Sequence, residues 1–216
     1  MDLSDLAEIT ILSLAVSGAA TAISLLIGLP VGTWLALHRF RTRGVVLSAL
    51  NTGMALPPVV AGLVVALLLW RSGILGGLGL MYTPGAMVIA EVVIATPVVA
   101  GLTVASLGQL DPRLEIQLLG LGASRLQMVL WLWREARLAL LAAVMAAFGS
   151  VISEVGAAMM VGGNIAHQTR VLTTAIVLET GRGEFGAAIA LGLMLLCLAF
   201  IVNGVLTWAQ QRGPHR

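Results

Sequence analysis

The chain has no lysine, one cysteine and few charged residues. All 12 basic residues among its 216 are arginines, and a phosphate-binding loop of the GxxxxGK[ST] type requires a lysine, so the chain cannot form one. The single cysteine, Cys197, excludes a disulfide within the chain. His38, His167 and His215 stand in three separate segments without the spacing of metal ligands. We therefore expect neither nucleotide hydrolysis nor a bound metal or cofactor in this chain.

Hydrophobic residues dominate what is present. They make up 59% of the sequence, charged residues make up 10%, and the mean hydropathy is +1.02, values typical of a polytopic helical membrane protein. A spanning helix needs about 20 apolar residues. Five runs of sufficient length cover residues 9–37, 44–70, 85–109, 138–161 and 185–211. The predicted fold class is all-α, with five transmembrane helices.

The arginines predict how these helices are oriented. Five spans place the two termini on opposite sides of the membrane, and arginine is enriched on the cytoplasmic side. With the N-terminus outside and the C-terminus cytoplasmic, nine arginines are cytoplasmic: Arg39, Arg41, Arg43, Arg113, Arg125, Arg134, Arg137, Arg212 and Arg216. The acidic N-terminus lacks the basic region of a cleavable signal peptide, so we expect the first span to be retained. Topology explains the basic excess without nucleic acid.

Prolines inside the predicted spans favour transport over a purely structural role. Pro30, Pro57, Pro58 and Pro97 each remove a backbone donor, which kinks or breaks a helix, and irregular backbone is tolerated in a membrane where it is buried in protein or lines a water-filled path. Proline is also common in ordinary spanning helices, and it is the combination of four that favours a transporter. An intramembrane serine hydrolase is disfavoured because no histidine is predicted near the serines that precede Glu154.

Two acids, Glu91 and Glu154, fall within predicted spans, where a charge is costly. We interpret Glu154 as a structural or gate-lining carboxylate rather than as part of a proton relay, because a relay would need more acids nearby. Small and polar residues follow it. The candidate gate or pore residues are Glu154, Gly156, Met159, Met160, Gly162, Gly163, Asn164, Arg170, Thr173 and Thr174.

A polar interval at residues 110–137 separates the third and fourth predicted spans. Leucines recur at helical spacing on both sides of Gly122, and glycine is the residue best suited to a tight or left-handed turn. The pattern predicts a cytoplasmic helix–turn–helix. Such an element would rest on the bilayer surface or dock to another protein, and a solvated loop is the simpler alternative.

The sequence LGLGASRLQMVLWLWREARLALL in this interval resembles the cytoplasmic coupling loop of permease subunits of binding-protein-dependent ABC importers. It departs from the family pattern where Ile116, Gln117 and Leu118 replace Glu-Ala-Ala and where Glu135 replaces a common proline. The resemblance implies that residues 110–137 form the coupling loop of a single transmembrane domain spanning residues 1–216. The residues implied to couple to the ATPase are Glu115, Leu121, Gly122, Ala123, Ser124 and Arg125.

Residues 133–185 further resemble permeases of tungstate importers, and the segment around Pro57 and Pro58 resembles the matching region of molybdate and tungstate permeases. Tungstate is therefore the expected substrate, with molybdate or another oxyanion as the alternative. The resemblance implies a type I ABC importer permease fold, a homodimer in the cell membrane, two cytoplasmic ATPase subunits that bind ATP and Mg, and an extracytoplasmic binding protein that delivers the oxyanion. In such an assembly the outer polar residues would serve contact and gating more than substrate binding. An ATP-independent secondary transporter, which should show internal repeats, and a membrane scaffold remain the alternatives.

Overall fold

The computed structural model describes residues 3–211, and within that range it contains helices and no strands. The all-α prediction is confirmed. A short 3-10 turn, Gly76–Leu78, lies between the third and fourth helices. The helices are α1 Leu3–Leu37, α2 Arg43–Met54, α3 Pro58–Leu69, α4 Pro84–Gly108, α5 Pro112–Gly120, α6 Arg125–Glu135, α7 Arg137–Ile152, α8 Gly156–Gly162, α9 Leu172–Gly181 and α10 Phe185–Gln211.

Three of these helices are long and apolar enough to cross a bilayer: α1, α4 and α10. They correspond to the runs predicted at residues 9–37, 85–109 and 185–211, although α1 begins earlier than predicted and includes Asp5 and Glu8. Helix α10 has little of its surface buried within the chain, so most of it is available to lipid or to another subunit.

The second predicted span, 44–70, is not one helix. Helices α2 and α3 meet at an angle of 98°, with the break at Ala55–Pro57. Pro57 and Pro58 cause it, because a residue that precedes proline avoids the helical conformation and proline itself favours the first position of a new helix. The pair forms either a broken span or a re-entrant loop.

The fourth predicted span, 138–161, is also interrupted. Helix α7 ends at Ile152, α8 begins at Gly156, and α6 joins α7 at an angle of 76°. The hydroxyl of Ser153 donates to the carbonyls of Gly149 and Ser150 at 2.7 and 3.3 Å, and such local bonds compete with the helical ladder. With each bent pair counted as one span, residues 3–211 contain up to five spans.

Pro30 and Pro97 do not break their helices, and the predicted kink at each remains a prediction. Helices α1 and α4 run continuously through them, because neighbouring helices in a membrane can accommodate the freed backbone groups. Pro97 instead forms a contact surface for α2, since a side chain added at Gly53 would lie 3.1 Å from the proline ring.

The close packing of α1 against α4 forms the centre of the fold. Gly28 and Gly32, one turn apart on α1, allow the two backbones to approach. A Cβ added at Gly28 would lie 2.7 Å from Val99, and a Cβ added at Gly32 would lie 2.6 Å from the carbonyl oxygen of Ala100. Small residues at this spacing are a general means of close helix packing in membranes. The pair therefore packs helices within one chain.

The orientation of the termini remains a prediction. Arg212 and Arg216, which support a cytoplasmic C-terminus, lie outside the described residues, as does His215. The other predicted cytoplasmic arginines lie in two places: between α1 and the first residue of α2, and from α5 to the first residue of α7.

We expect Gly32→Ala to destabilise the protein, because the new methyl group would press on the α4 backbone at Ala100. Overpacking lowers the free energy of unfolding by about 1–3 kcal/mol. For a chain of this size, that lowers the thermal midpoint by several degrees. Gly18→Ala, on the same helix with no atom within 4 Å of its added Cβ, is the matched control. Thermal unfolding of the purified variants in detergent checks this, and equal midpoints for both variants would contradict the packing account.

Candidate functional site

The polar interval forms two short helices, α5 and α6, joined by a turn. At the start of α5 the carboxylate of Asp111 accepts a hydrogen bond from the backbone N–H of Arg113 at 2.8 Å, and Pro112 occupies the first helical position. None of the residues of α5 is fully buried. The predicted helix–turn–helix is therefore present, and its role in docking remains a prediction.

The turn itself depends on Gly122. This residue has φ +85°, a left-handed conformation that glycine adopts without the steric cost paid by other residues. Its backbone N–H donates to the carbonyl of Leu119 at 3.0 Å, and the N–H of Ala123 donates to Leu118 at 3.1 Å. No atom lies within 4 Å of an added Cβ, so the constraint on position 122 comes from the backbone and not from neighbouring side chains.

Helix α6 begins with a reciprocal capping box. The hydroxyl of Ser124 accepts from the backbone N–H of Gln127 at 3.3 Å, and the side-chain oxygen of Gln127 accepts from the N–H of Ser124 at 2.8 Å. Leu121, Gly122, Ala123 and Ser124 thus make up the turn and the cap, and Arg125 is the first residue of α6. The structure brings together five of the six predicted coupling residues.

The two faces of α6 differ. Met128 and Leu132 are buried in a cluster with Leu107 of α4 and Leu140 of α7, and the indole N–H of Trp133 donates to the hydroxyl of Thr33 at 2.8 Å. These contacts fasten the inner face to the spanning helices.

The opposite surface of the element is apolar and uncovered. Leu121 is 85% exposed and Leu126 is 69% exposed. Other exposed large side chains on α5 and α6 are Ile116, Leu119, Leu130 and Trp131. We call the exposed Leu121 and Leu126, together with the turn between them, the coupling tip. Several large apolar side chains exposed on one short helix–turn–helix favour a protein-binding surface over a solvated loop.

Glu115 lies apart from the coupling tip. It is half-buried in α5 and lines a cavity of about 580 Å³ between the C-terminal end of α1 and the start of α5. Arg39, Arg43 and Asp111 line the same cavity. The structure therefore separates Glu115 from the other predicted coupling residues and gives it a charged surrounding.

The second region of interest is the junction of α3, α8 and the loop 163–171. Gly156 and Gly62 allow α8 to approach α3 closely. A Cβ added at Gly156 would lie 2.5 Å from Val59, and a Cβ added at Gly62 would lie 2.6 Å from the Cα of Ala157. The break at Pro57 and Pro58 thus lies beside the break at residues 153–155. Met160 packs against the same cluster, and Met159 is partly exposed.

The loop is organised by a fully buried hydroxyl. Thr169 donates to the carbonyl of Gly162 at 2.6 Å and accepts from the backbone N–H of Ile165 at 3.0 Å. Gly163 and Asn164 follow α8 with φ +72° and +54°. Thr169 was not among the predicted site residues, and a lone threonine in a polar segment gives no sequence signal of this role.

Most of the predicted polar gate residues bond to one another. The amide nitrogen of Asn164 donates to the carbonyl of Thr174 at 3.3 Å, and its side-chain oxygen accepts from Arg170 Nε at 3.2 Å. The hydroxyl of Thr173 donates to the carbonyl of Glu154 at 2.9 Å, and that of Thr174 accepts from the N–H of Val171 at 3.1 Å. These contacts tie the loop to α9. Thr173 and Thr174 have a structural role, because both are buried.

The carboxylate of Glu154 occupies the first turn of α8. Its Oε1 accepts from the backbone N–H of Ala157 at 3.0 Å, so this amide is not available to an anion. Gly162, another predicted gate residue, serves close packing: an added Cβ would lie 2.8 Å from the sulfur of Met87. Gly163 packs beside Tyr82 in the same way.

An ion pair links the start of α1 to the loop. His167 Nδ1 lies 2.8 Å from Glu8 Oε2, and both side chains are largely exposed. The hydrogen bond and the charge of Glu8 raise the pKa of His167 above its usual 6.5. This contact was not predicted, because the two residues are far apart in the sequence.

The fold of the chain can be compared with those of solved structures. Over 97% of its length it superposes on 96% of a chain from inward-facing structures of a methionine ABC transporter, with a TM-score of 0.75 at 19% identity. At that identity the likeness concerns the fold alone, which is that of type I ABC importer permeases. The chain therefore belongs to this fold class of helical membrane proteins.

The chain belongs to the family of binding-protein-dependent transport system inner membrane components, whose model matches residues 28–212. It is a multi-pass inner-membrane protein. It is 42% identical to the tungstate uptake system permease protein of Peptoclostridium acidaminophilum over 94% of this chain and 89% of that protein. It is 39% identical to a probable anion ABC transporter permease protein of Haloferax volcanii, over 100% and 95% of the two chains, and 28% identical to the molybdenum transport system permease protein of Azotobacter vinelandii, over 92% and 91%.

The contact between His167 and Glu8 should depend on pH. Because the pKa of His167 is raised in the folded protein, the contact contributes stability below pH 6.5 and loses it as the pH rises through the raised value. Hydrogen–deuterium exchange of residues 163–171, corrected for intrinsic rates, should be slower at about pH 6 than at about pH 8.5. The His167→Gln variant should show no such difference, and a pH effect of equal size in that variant would refute the assignment.

Proposed function

We propose that the chain is the membrane-spanning subunit of an ABC importer for tungstate, driven by a separate cytoplasmic ATPase. The observation that carries the proposal is the 42% identity to a tungstate permease over nearly the whole chain, against 28% to the molybdenum permease. A second tungstate uptake permease, from Campylobacter jejuni, is 36% identical over 76% of this chain. Molybdate is the alternative substrate, and the related anion permease leaves other oxyanions open to test.

The ATPase is proposed to dock on the coupling tip. The chain has no lysine for a phosphate-binding loop, so ATP and Mg would be held by the partner. Leu121 and Leu126 offer exposed apolar side chains of the kind that insert into a groove of another protein. The buried face of α6 joins this tip to α1, α4 and α7. A movement of the ATPase pair would thereby reach the spanning helices, which is the requirement for coupling between two sites.

The transport pathway is proposed to lie between two copies of the chain. The cavity beside Glu91 has a volume of about 10 Å³, which is room for about one water molecule and too little for a tetrahedral oxyanion. Helix α3 exposes Val59, Leu63 and Leu67 along one side, and the two helix breaks lie at its start. A twofold homodimer would place two such surfaces face to face, with Pro57, Pro58 and Met159 beside the pathway.

The loop 163–171 is proposed to face outward and receive the binding protein. This orientation follows the predicted topology, in which the N-terminus is outside. Arg170 is half-buried and held by Asn164, so it can present a fixed positive charge near the entry without binding the substrate tightly. Residues 165–168 of the same loop, among them Gln168, are exposed.

The substrate assignment is tested by transport. The chain would be produced with its ATPase and binding protein, reconstituted in liposomes and supplied with labelled tungstate, with molybdate and sulfate as competitors. We expect uptake that requires ATP and the binding protein and resists excess molybdate. If uptake requires ATP but molybdate competes equally, the substrate is wrong and the coupling account stands; if flux occurs without the ATPase, the proposed function is refuted.

We expect Gly122→Asp to abolish ATP-dependent uptake while leaving the assembled membrane subunits intact. Any side chain at φ +85° strains the turn by about 1–2 kcal/mol, and a carboxylate would stand between the two apolar residues of the coupling tip. Uptake, substrate-stimulated ATP hydrolysis and size-exclusion profile would be measured together.

Gly183→Asp is the matched control for this variant. Gly183 has φ +80° and no atom within 4 Å of an added Cβ, so it carries the same backbone strain at a site between α9 and α10, away from the coupling tip. We expect this variant to transport. If Gly122→Asp transports as well as Gly183→Asp does, the coupling tip is not where ATP hydrolysis is transmitted.

A further inference from the structure

A small polar cavity lies where four parts of the chain meet within the membrane region: α1, α4, the break between α7 and α8, and the start of α9. Its volume is about 10 Å³, which is room for a single water molecule or an ion of similar size. Two carboxylates and three hydroxyls contribute to its lining. The lining residues are Ser13, Val16, Ser17, Glu91, Val151, Ile152, Glu154, Val171 and Thr173.

Glu91 has no protein partner that explains its position. The residue is 3% exposed, and among the described residues its Oε2 is buried without any hydrogen bond. An ionised carboxylate at membrane depth costs about 2.5–3.5 kcal/mol on insertion scales unless it is paired. No arginine or histidine lines the cavity to provide that pairing.

The neighbouring polar groups are mostly committed elsewhere. Ser13 donates to the carbonyl of Ile9 and accepts from the N–H of Leu172. Thr173 donates to the carbonyl of Glu154, and Glu154 Oε1 accepts from Ala157. Glu91, the second carboxylate oxygen of Glu154 and the hydroxyl of Ser17 therefore remain as oxygens that can serve a bound group.

Both titratable groups that line the cavity are acids, Glu91 on α4 and Glu154 at the helix break, while α1 and α9 contribute only hydroxyls. Ile152, the last residue of α7, and Thr173, in the first turn of α9, also line it, so the negative end of one helix dipole and the positive end of another meet there. A proton on Glu91 would remove one charge, and Glu154 and Ser17 have oxygens in the same cavity that can accept from its O–H.

We propose that this cavity binds one small monovalent cation of the size of sodium, held by Glu91, Glu154 and Ser17. Oxygen ligands are those that hard cations prefer, and the carboxyl ends of interrupted helices are a common setting for sodium sites in membrane proteins. The ion would offset the charge of one of the two acids while the other keeps a proton, and it would fix α1 and α4 to the α7–α8 break. The inference concerns this chain alone and does not depend on which oxyanion is transported.

The test measures binding and not transport. The full-length chain, purified in detergent, would be heated in sodium, potassium or choline chloride at constant ionic strength and pH, and radioactive sodium binding would be measured in parallel. We expect saturable sodium binding and a thermal midpoint that rises with sodium and not with choline. Glu91→Gln should lose both effects, while Glu184→Gln, which removes an exposed carboxylate elsewhere, should keep both.

Ser17→Ala keeps both carboxylates and removes only one ligand oxygen, so it carries the test if Glu91→Gln does not fold. We expect its sodium affinity to fall roughly tenfold, the effect of losing one good polar contact. The proposal is overturned if sodium and choline give the same midpoint, if Glu91→Gln binds sodium normally, or if stability follows pH with no cation effect, which would mean that the site holds a proton or a water molecule.

Discussion

The structure depends on one constraint: inside a bilayer every backbone and polar group must find its partner within the protein. The chain meets this constraint at the places where its helices break. At residues 153–155 the interruption is compensated by Ser153, Glu154 and Thr173, each of which bonds to nearby backbone. The breaks are thereby fixed in position beside α3, and polar groups can exist at membrane depth without unfolding the surrounding helices.

The same constraint explains how a signal can cross the chain. Glycines at α1–α4 and α3–α8 bring backbones into direct contact, so that neighbouring helices cannot shift independently. The inner face of α6 joins this packed unit through Met128 and Leu132. A rigid connection therefore runs from the exposed coupling tip to the helix breaks, and conformational change at one end has a physical route to the other.

The sequence predicts those elements that are encoded by short stretches of consecutive residues. Hydropathy places α1, α4 and α10, and the leucine spacing around Gly122 predicts α5, the turn and α6. Other features depend on tertiary contacts. Pro97 looks like a helix breaker in sequence but lies within a continuous helix that packs on Gly53. Thr173 and Thr174, predicted as gate or pore residues, hydrogen-bond to backbone groups at the start of α9 and at the helix break. The partnership of Glu91, Glu154 and Ser17 joins distant segments, which no short pattern reveals.

The proposed contact between the coupling tip and the ATPase can be tested by site-specific photo-crosslinking. A photoreactive amino acid would replace Leu121 in the assembled transporter, with replacement of Val177, an exposed residue of α9, as the reference. The account predicts that position 121 crosslinks to the ATPase subunit, in an amount that changes with ATP, and that position 177 does not. Crosslinks from position 121 to lipid alone, in a complex that still transports, would contradict it.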